Sequence, residues 1–149
     1  ASWKKSYAIL ITGSLLMLFD SCSEKPLETV EWSGHKLSEV RSLSGLPRNL
    51  QTTLDVGRAG LDGIADRDGK FNSTDVIDST LPMRRFLVAG LEDDSAIVAV
   101  EHGGFGYWVE VTFFSHTDRG PKIERACMLA EAPQTLRALV DRLAVAEPR

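Results

Sequence analysis

The fold is decided by residues 84–115, whose sequence is RRFLVAGLEDDSAIVAVEHGGFGYWVEVTFFS. Three apolar-rich runs of eight to ten residues make up this stretch, in which every second residue shares a side of a strand, and it is interrupted at Asp93-Asp94 and at Gly103-Gly104. A period of two is typical of β-strands, and short interruptions rich in Asp or Gly are typical of hairpin turns. The stretch therefore predicts an antiparallel meander. Its strands are expected at residues 84–91, 95–102 and 106–115, with a fourth at 122–129.

The apolar positions also predict how these strands pair. Register is fixed wherever apolar residues must share a face, because a shift of one residue turns every side chain to the other side. With the two turns just named, the expected neighbours of Val98 are Ala89 in the preceding strand and Val109 in the following one.

Helices are predicted before and after the meander. Leucines recur at every fourth position around Pro47, and the residues after Pro133 follow the i, i+3, i+4, i+7 pattern of an amphipathic helix. A small hairpin is also expected around Ser33-Gly34. The predicted fold is α+β, with both helices on one face of the sheet. It comprises a four-stranded antiparallel meander at about 84–129, an N-terminal helix at about 47–58 and a C-terminal helix at about 133–145.

The composition excludes several classes of protein. Of the 149 residues, 43% are apolar and 26% are charged, which excludes a largely disordered or collagen-like chain. The 17 basic residues are outnumbered by 21 acidic ones, giving a net charge of −4. No basic patch is present to neutralise phosphates, so nucleic acid is not an expected partner.

The first 22 residues differ sharply from the rest. A basic head, Trp3-Lys4-Lys5, precedes an apolar run at residues 7–19 that is too short to cross a bilayer as a helix. With Cys22 soon after it, the segment resembles the export signal of bacterial lipoproteins, in which this cysteine becomes lipid-modified. The resemblance implies a lipid-anchored protein of the bacterial cell envelope, sorted by Ser23 to the outer membrane. Its parts would be a signal peptide at 1–21, an anchor and tether at 22–28, and one domain at 29–149.

Two alternatives to the export signal stay open. The apolar run at residues 7–19 is also compatible with a buried helix of the domain. A disulfide between Cys22 and Cys127 would remove the lipoprotein interpretation altogether.

The side of the predicted sheet opposite its main apolar set keeps several large apolar residues. A solvated sheet face normally carries polar side chains, so such a face is either covered by the N-terminal helix or exposed to bind a partner. Aromatic residues with polar neighbours are typical of recognition surfaces. The predicted partner-binding residues are Phe105, Trp108, Glu110, Phe114 and His116.

The segment DRDGKFNSTD at residues 66–75 resembles the calcium loops of EF-hand and dockerin modules. Oxygen ligands at alternating positions around a turn glycine are what Ca²⁺ coordination requires. Asp66, Asp68, Asn72 and Asp75 would supply these oxygens, although Ile64 stands where the first ligand belongs. The competing interpretation is an Asp-Gly turn followed by a capping Asn or Ser.

No catalytic motif in the sequence is strong. The expected function is therefore a non-enzymatic envelope protein whose domain binds a macromolecular partner, as an inhibitor or immunity-like protein, an assembly accessory or a surface antigen. The alternative is a small periplasmic hydrolase that uses Glu101, His102 or His116, although their spacing matches no known catalytic pattern.

Overall fold

The structure is a computed structural model that describes residues 27–146. Its centre is a six-stranded antiparallel sheet in which the strand order follows the chain. The strands are β1 (Thr29–Trp32), β2 (His35–Val40), β3 (Arg84–Leu91), β4 (Ser95–His102), β5 (Trp108–Thr117) and β6 (Gly120–Leu129). The helices are α1 (Arg48–Thr53) and α2 (Leu136–Ala146), with single 3-10 turns at Leu43–Gly45 and Gly60–Asp62.

The predicted four-stranded sheet with flanking N- and C-terminal helices is therefore wrong. The domain is mostly sheet, with one long helix at its C-terminal end. The two additional strands, β1 and β2, form a hairpin that pairs with β3. Its turn residues, Ser33 and Gly34, both have positive φ (49° and 81°), as a tight two-residue hairpin turn requires.

The N-terminal helix predicted over residues 47–58 is shortened to six residues. The chain leaves the helix at Leu54, and Asp55 and Gly57 then adopt positive φ values of 61° and 86°, which cannot continue a right-handed helix. At the other end of the domain, α2 begins at Leu136 rather than at residue 133. The Thr135 hydroxyl caps it by accepting a hydrogen bond from the Ala138 N–H (3.1 Å).

The predicted register is correct in the β3–β4 hairpin around Ala89, which lies opposite Val98. A bulge at Leu87 then shifts the rest of β3 by one residue. Between β4 and β5 the prediction is wrong, because Val98 lies opposite Thr112 and not Val109. The connection runs over residues 103–107 and is longer than the predicted turn. This difference moves Val109 and Val111 to the other face of the sheet.

Both faces of the sheet are covered, each by a different part of the chain. The first face packs against the connection between β2 and β3, which contributes Leu43, Leu46, Leu50, Leu54 and Ile64. The second face packs against α2, which contributes Leu136, Leu139, Val140 and Leu143. The expectation that both helices share one face is thus wrong, and β4, at the centre, buries side chains on both sides.

Several N-terminal predictions concern residues outside the described part. These are the signal peptide at 1–21, the lipid-modified Cys22 with most of its tether, and the Cys22–Cys127 disulfide. Within residues 27–146, no helix has the length and apolar character needed to cross a membrane.

Candidate functional site

Exposed apolar side chains gather at the end of the sheet where β4 turns into β5. Phe105 is 90% exposed and Tyr107 46% exposed in the connecting loop, and Trp108 follows at the start of β5. The neighbouring β6 contributes Met128, opposite Glu110. Single exposed apolar residues are normal, but a group of them marks an interaction surface.

A second loop completes this surface. The methyl group Cδ1 of Ile77 lies 3.8 Å from the position that a Cβ on Gly104 would take, and the exposed Val76 precedes it. We call the whole group the apolar tip. It consists of Val76, Ile77, Phe105, Tyr107, Trp108 and Met128.

A buried carboxylate supports the apolar tip from below. Glu101 is only 3% exposed, and its Oε1 atom accepts a hydrogen bond from Arg85 Nε at 2.5 Å. The Tyr107 hydroxyl donates to the other oxygen, Oε2, at 3.0 Å. Burial, reinforced by this hydrogen bond to an anion, raises the pKa of Tyr107 to about 12. The phenol is therefore a permanent hydrogen-bond donor at neutral pH.

Arg85 extends the support into the loop between α1 and β3. Its guanidinium carbon lies 4.4 Å from the centroid of the Phe71 ring, and its Nη1 atom donates to the Gly69 carbonyl at 3.2 Å. The arginine is thus held by a carboxylate, an aromatic face and a backbone carbonyl. It connects the strands to the loop that carries Val76 and Ile77.

That loop is organised by the buried side chain of Asn72. Its Nδ2 atom donates to the carbonyls of Asp78 and Leu81, both at 2.9 Å, and its Oδ1 atom accepts from the Asp78 N–H at 2.7 Å. The Asn72 carbonyl packs directly against Gly103, where a Cβ would lie 1.9 Å from it. Only glycine fits at that position, so the two loops of the apolar tip are locked together.

The imidazole of His102 lies beneath Trp108. The two rings stack at 4.7 Å between centroids with an interplanar angle of 10°. Burial lowers the pKa of His102, although Glu110, 4.0 Å from its Nε2 atom, acts in the opposite direction. The neutral ring is a flat support for the indole.

The predicted partner-binding residues are only partly brought together. Phe105, Trp108 and Glu110 meet at or beside the apolar tip. Phe114 lies on the same side of β5 but is 3% exposed, because the β2–β3 connection covers it. His116 lies at the other end of β5, opposite Pro121. The prediction of one face joining Trp108 to Phe114 and His116 is therefore corrected.

Sequence reasoning missed four of the six residues of the apolar tip. The predicted pairing of Val98 with Val109 places Tyr107 opposite Val100 inside the sheet, and Met128 lies in the predicted fourth strand, to which the sequence assigns no binding role. Val76 and Ile77 are two adjacent β-branched apolar residues in a loop otherwise rich in polar side chains, and this contrast was the available signal. Their proximity to Phe105 depends on tertiary structure alone.

The acidic side chains of the predicted calcium loop are not grouped together. The Asp66 Oδ1 atom accepts from the backbone N–H groups of Leu43 (3.0 Å) and Arg67 (2.8 Å), and both polar atoms of the Asn72 amide are used within the loop. Across residues 27–146, no group of three or more His, Cys, Asp or Glu side chains is placed to hold a metal ion. The segment is a structural turn, with Asp68 at a positive φ of 67°.

The residues of the hydrolase alternative are also dispersed. Glu101 is engaged by Arg85 and Tyr107, and His116 lies at the opposite end of the sheet from His102. A separate Ser95–His35–Glu92 group has both Ser95 Oγ (3.4 Å) and Glu92 Oε2 (2.6 Å) on the same ring nitrogen, Nδ1. A relay from serine to carboxylate needs the two opposite nitrogens of the ring, so this group does not form a triad.

Comparisons of the chain with protein-family models, with curated proteins and with solved structures find no match in any of the three.

Proposed function

We propose that this protein is a non-catalytic binding protein of the bacterial cell envelope, anchored through Cys22, whose domain binds a partner protein through the apolar tip. The observation that carries the proposal is the grouping of six exposed apolar side chains at one end of an otherwise well-packed sheet. Envelope location rests on the lipoprotein-like signal in residues 1–22.

The composition of the apolar tip supports a protein partner. Aromatic residues and methionine are enriched in protein interfaces, and aromatic anchors contribute most of the binding energy. Phe105 is the most exposed of the aromatic residues. Tyr107 and Trp108 flank the end of the sheet on its two faces, next to Glu101 and His102 respectively.

The rigidity of the support is the second argument. Ordering flexible side chains on binding costs about 0.5–1.5 kcal/mol each, so a surface that is already ordered binds more tightly. The hydrogen bond from Tyr107 to Glu101 and the stacking of Trp108 on His102 fix two of the aromatic residues before any partner arrives.

The charges around the apolar tip indicate what the partner presents. Asp75 precedes Val76 in the exposed loop, and the Glu110 side chain is 46% exposed beside Trp108. A partner with an apolar pocket bordered by Lys or Arg complements this arrangement, and the net charge of −4 favours its approach.

Site-specific crosslinking tests the binding surface. The photoreactive amino acid p-benzoylphenylalanine would replace Phe105 in one version of the full chain and Ile123, 59% exposed on β6, in a control version. We expect a discrete crosslinked protein from position 105 that is absent from position 123 and is lost on adding Trp108→Ala. No adduct at position 105, or the same adduct from both positions, would contradict the proposal.

Intact-mass analysis tests the anchor separately. The full chain, expressed in a bacterial host, is expected to lose residues 1–21 and to gain the mass of a lipid group, whereas Cys22→Ser is expected to do neither. An uncleaved, unmodified wild-type chain would exclude anchoring through Cys22 and leave the binding surface untouched.

A further inference from the structure

A groove lies at the end of the sheet away from the apolar tip, between the β1–β2 hairpin and the ends of β4 and β5. It has a volume of about 340 Å³, in the range of small-molecule sites. Its floor is apolar and is formed by Trp32, Leu37, Ile97 and Phe113. We call it the aromatic groove.

The aromatic floor is held in place by stacking. The rings of Trp32 and Phe113 lie 5.1 Å apart between centroids, at an angle of 29°. The guanidinium of Arg125 packs against both, at 4.2 Å from the Phe113 centroid and 5.6 Å from that of Trp32. The groove therefore contains a fixed cluster of two stacked aromatic rings and one guanidinium, contributed by different hairpins.

The rim of the aromatic groove presents hydrogen-bond acceptors. Ser95 Oγ donates its hydrogen to Glu92 Oε2 at 3.1 Å, and Ser115 Oγ donates to Glu124 Oε1 at 2.5 Å. Since each hydroxyl hydrogen is already used, the lone pairs of both serines remain to accept hydrogen bonds from a ligand.

Each carboxylate at or beside the rim lies close to a side-chain nitrogen. Glu92 lies 2.6 Å from His35 Nδ1, and Glu124 lies 3.2 Å from Lys122 Nζ. Hydrogen bonds, chiefly from His35 to Glu92 and from Ser115 to Glu124, lower the pKa of both carboxyl groups, so they accept hydrogen bonds as carboxylates at neutral pH. Glu124 and Arg125 both line the groove and carry opposite charges, so its serine and carboxylate oxygens suit a neutral ligand that donates several hydrogen bonds.

We propose that the aromatic groove binds a neutral saccharide of one or two rings. The C–H face of a sugar ring would pack against Trp32 and Phe113, and its hydroxyl groups would donate to Ser95, Ser115 and Glu124. A wholly apolar ligand would leave the rim acceptors without donors, and a charged ligand would disturb the balance between Glu124 and Arg125. This site is independent of the proposed partner surface, because it lies at the other end of the strands.

Saturation-transfer NMR on the full chain tests this proposal with three probes: maltose, cellobiose and diacetylchitobiose. We expect transfer to the ring protons of at least one of them, and the Trp32→Ala variant is expected to abolish it. Trp108→Ala, at the apolar tip, is the matched control and is expected to bind like the wild type.

A milder variant keeps the test valid if Trp32→Ala does not fold. Ser115→Ala removes one rim acceptor without touching the floor, and the loss of one hydrogen bond is expected to weaken saccharide binding by about tenfold. Absence of transfer to all three disaccharides would overturn the proposal. So would unchanged binding in both groove variants, or binding of benzoate or tetramethylammonium in place of the sugars.

Discussion

The Nε atom of Arg85 lies 2.5 Å from Oε1 of Glu101, and these two residues face each other across neighbouring strands. The pair links three parts of the molecule, since Glu101 also holds Tyr107 and Arg85 also holds Gly69. A charged pair at this depth brings a desolvation cost that only its full set of hydrogen bonds offsets. Its removal should therefore affect both stability and the apolar tip.

We expect Glu101→Gln to lower the free energy of unfolding by about 2 kcal/mol, because Arg85 would remain largely buried without its counter-charge. The measurement is urea unfolding at neutral pH. Glu110→Gln, at a side chain on the neighbouring strand that is 46% exposed, is the control and should change stability by less than about 0.5 kcal/mol. Equal effects of the two substitutions would show that the buried pair is unimportant.

The ionisation of Tyr107 gives a second prediction. Because its pKa is raised to about 12, its contribution to stability is present below the ordinary tyrosine pKa of about 10 and is lost as the pH rises through the folded value. A spectroscopic titration of phenolate should show a late-titrating tyrosine that is missing in Tyr107→Phe. A difference between the two titrations near pH 10 would contradict the hydrogen bond to Glu101.

A third prediction concerns Glu39, which is 2% exposed and joins the sheet to α2. It accepts hydrogen bonds from the Leu136 N–H (3.1 Å), the Glu28 N–H (3.2 Å) and Arg41 (2.8 Å). We expect Glu39→Ala to cost about 2–3 kcal/mol, because it removes this support from the first turn of the helix. Helix loss and urea unfolding would be followed by circular dichroism. Glu31→Ala, exposed on β1, should be nearly neutral.

The same residue predicts acid sensitivity. Burial raises the pKa of Glu39, but its hydrogen bonds outweigh burial and bring the folded value below the usual one. A lowered carboxyl pKa contributes stability that is complete above the unfolded pKa, about 4.3, and is lost as the pH falls through the folded value. The fall in urea midpoint below about pH 4 should be shallower in Glu39→Ala than in the wild type. Parallel profiles would contradict the assignment.

Two glycines in one loop give a matched pair of variants. A Cβ at Gly103 would lie 1.9 Å from the Asn72 carbonyl oxygen, whereas at Gly106 the nearest atom, in the Trp108 ring, is 4.0 Å away. We expect Gly103→Ala to cost about 1–3 kcal/mol through overpacking, and Gly106→Ala to be almost neutral. The test is to measure the urea unfolding midpoints of the two variants and of the wild type. Similar midpoints would contradict the close packing of the two loops.

The sequence predicts the parts of this fold that depend on local chemistry. The predicted turn at Asp93-Asp94 is correct, because a two-residue turn sets the register of the strands beside it. The apolar stripe of residues 136–143 likewise predicts α2. The β4–β5 connection is a five-residue loop whose Gly103 packs against Asn72, 31 positions away, and no local pattern reports that contact. The run of apolar residues at 96–100 was the available signal of a strand buried on both faces.

In the candidate site, too, local sequence predicts some residues and tertiary structure alone brings in the others. Phe105 and Trp108 were predicted because aromatic residues beside a glycine-rich turn stand out in the sequence. Val76 and Met128 join them only through the folded loop and the pairing of β6 with β5. The sequence leaves Glu101 as a candidate catalytic group. Only the structure shows that Arg85 and Tyr107 bind its two carboxylate oxygens.

The covering of the two sheet faces has a consequence for biosynthesis. The connection that covers the first face is made before β3 to β6, whereas α2, which covers the second, is made after them. As the chain emerges with its N-terminal part first, from the ribosome or from an export channel, each hairpin can form in turn, so the sheet acquires one finished side early. The other side, with Ile97, Ala99 and Val111, meets water until residues 136–146 emerge. Chaperones that recognise apolar surface should therefore bind this chain before α2 docks and release it afterwards.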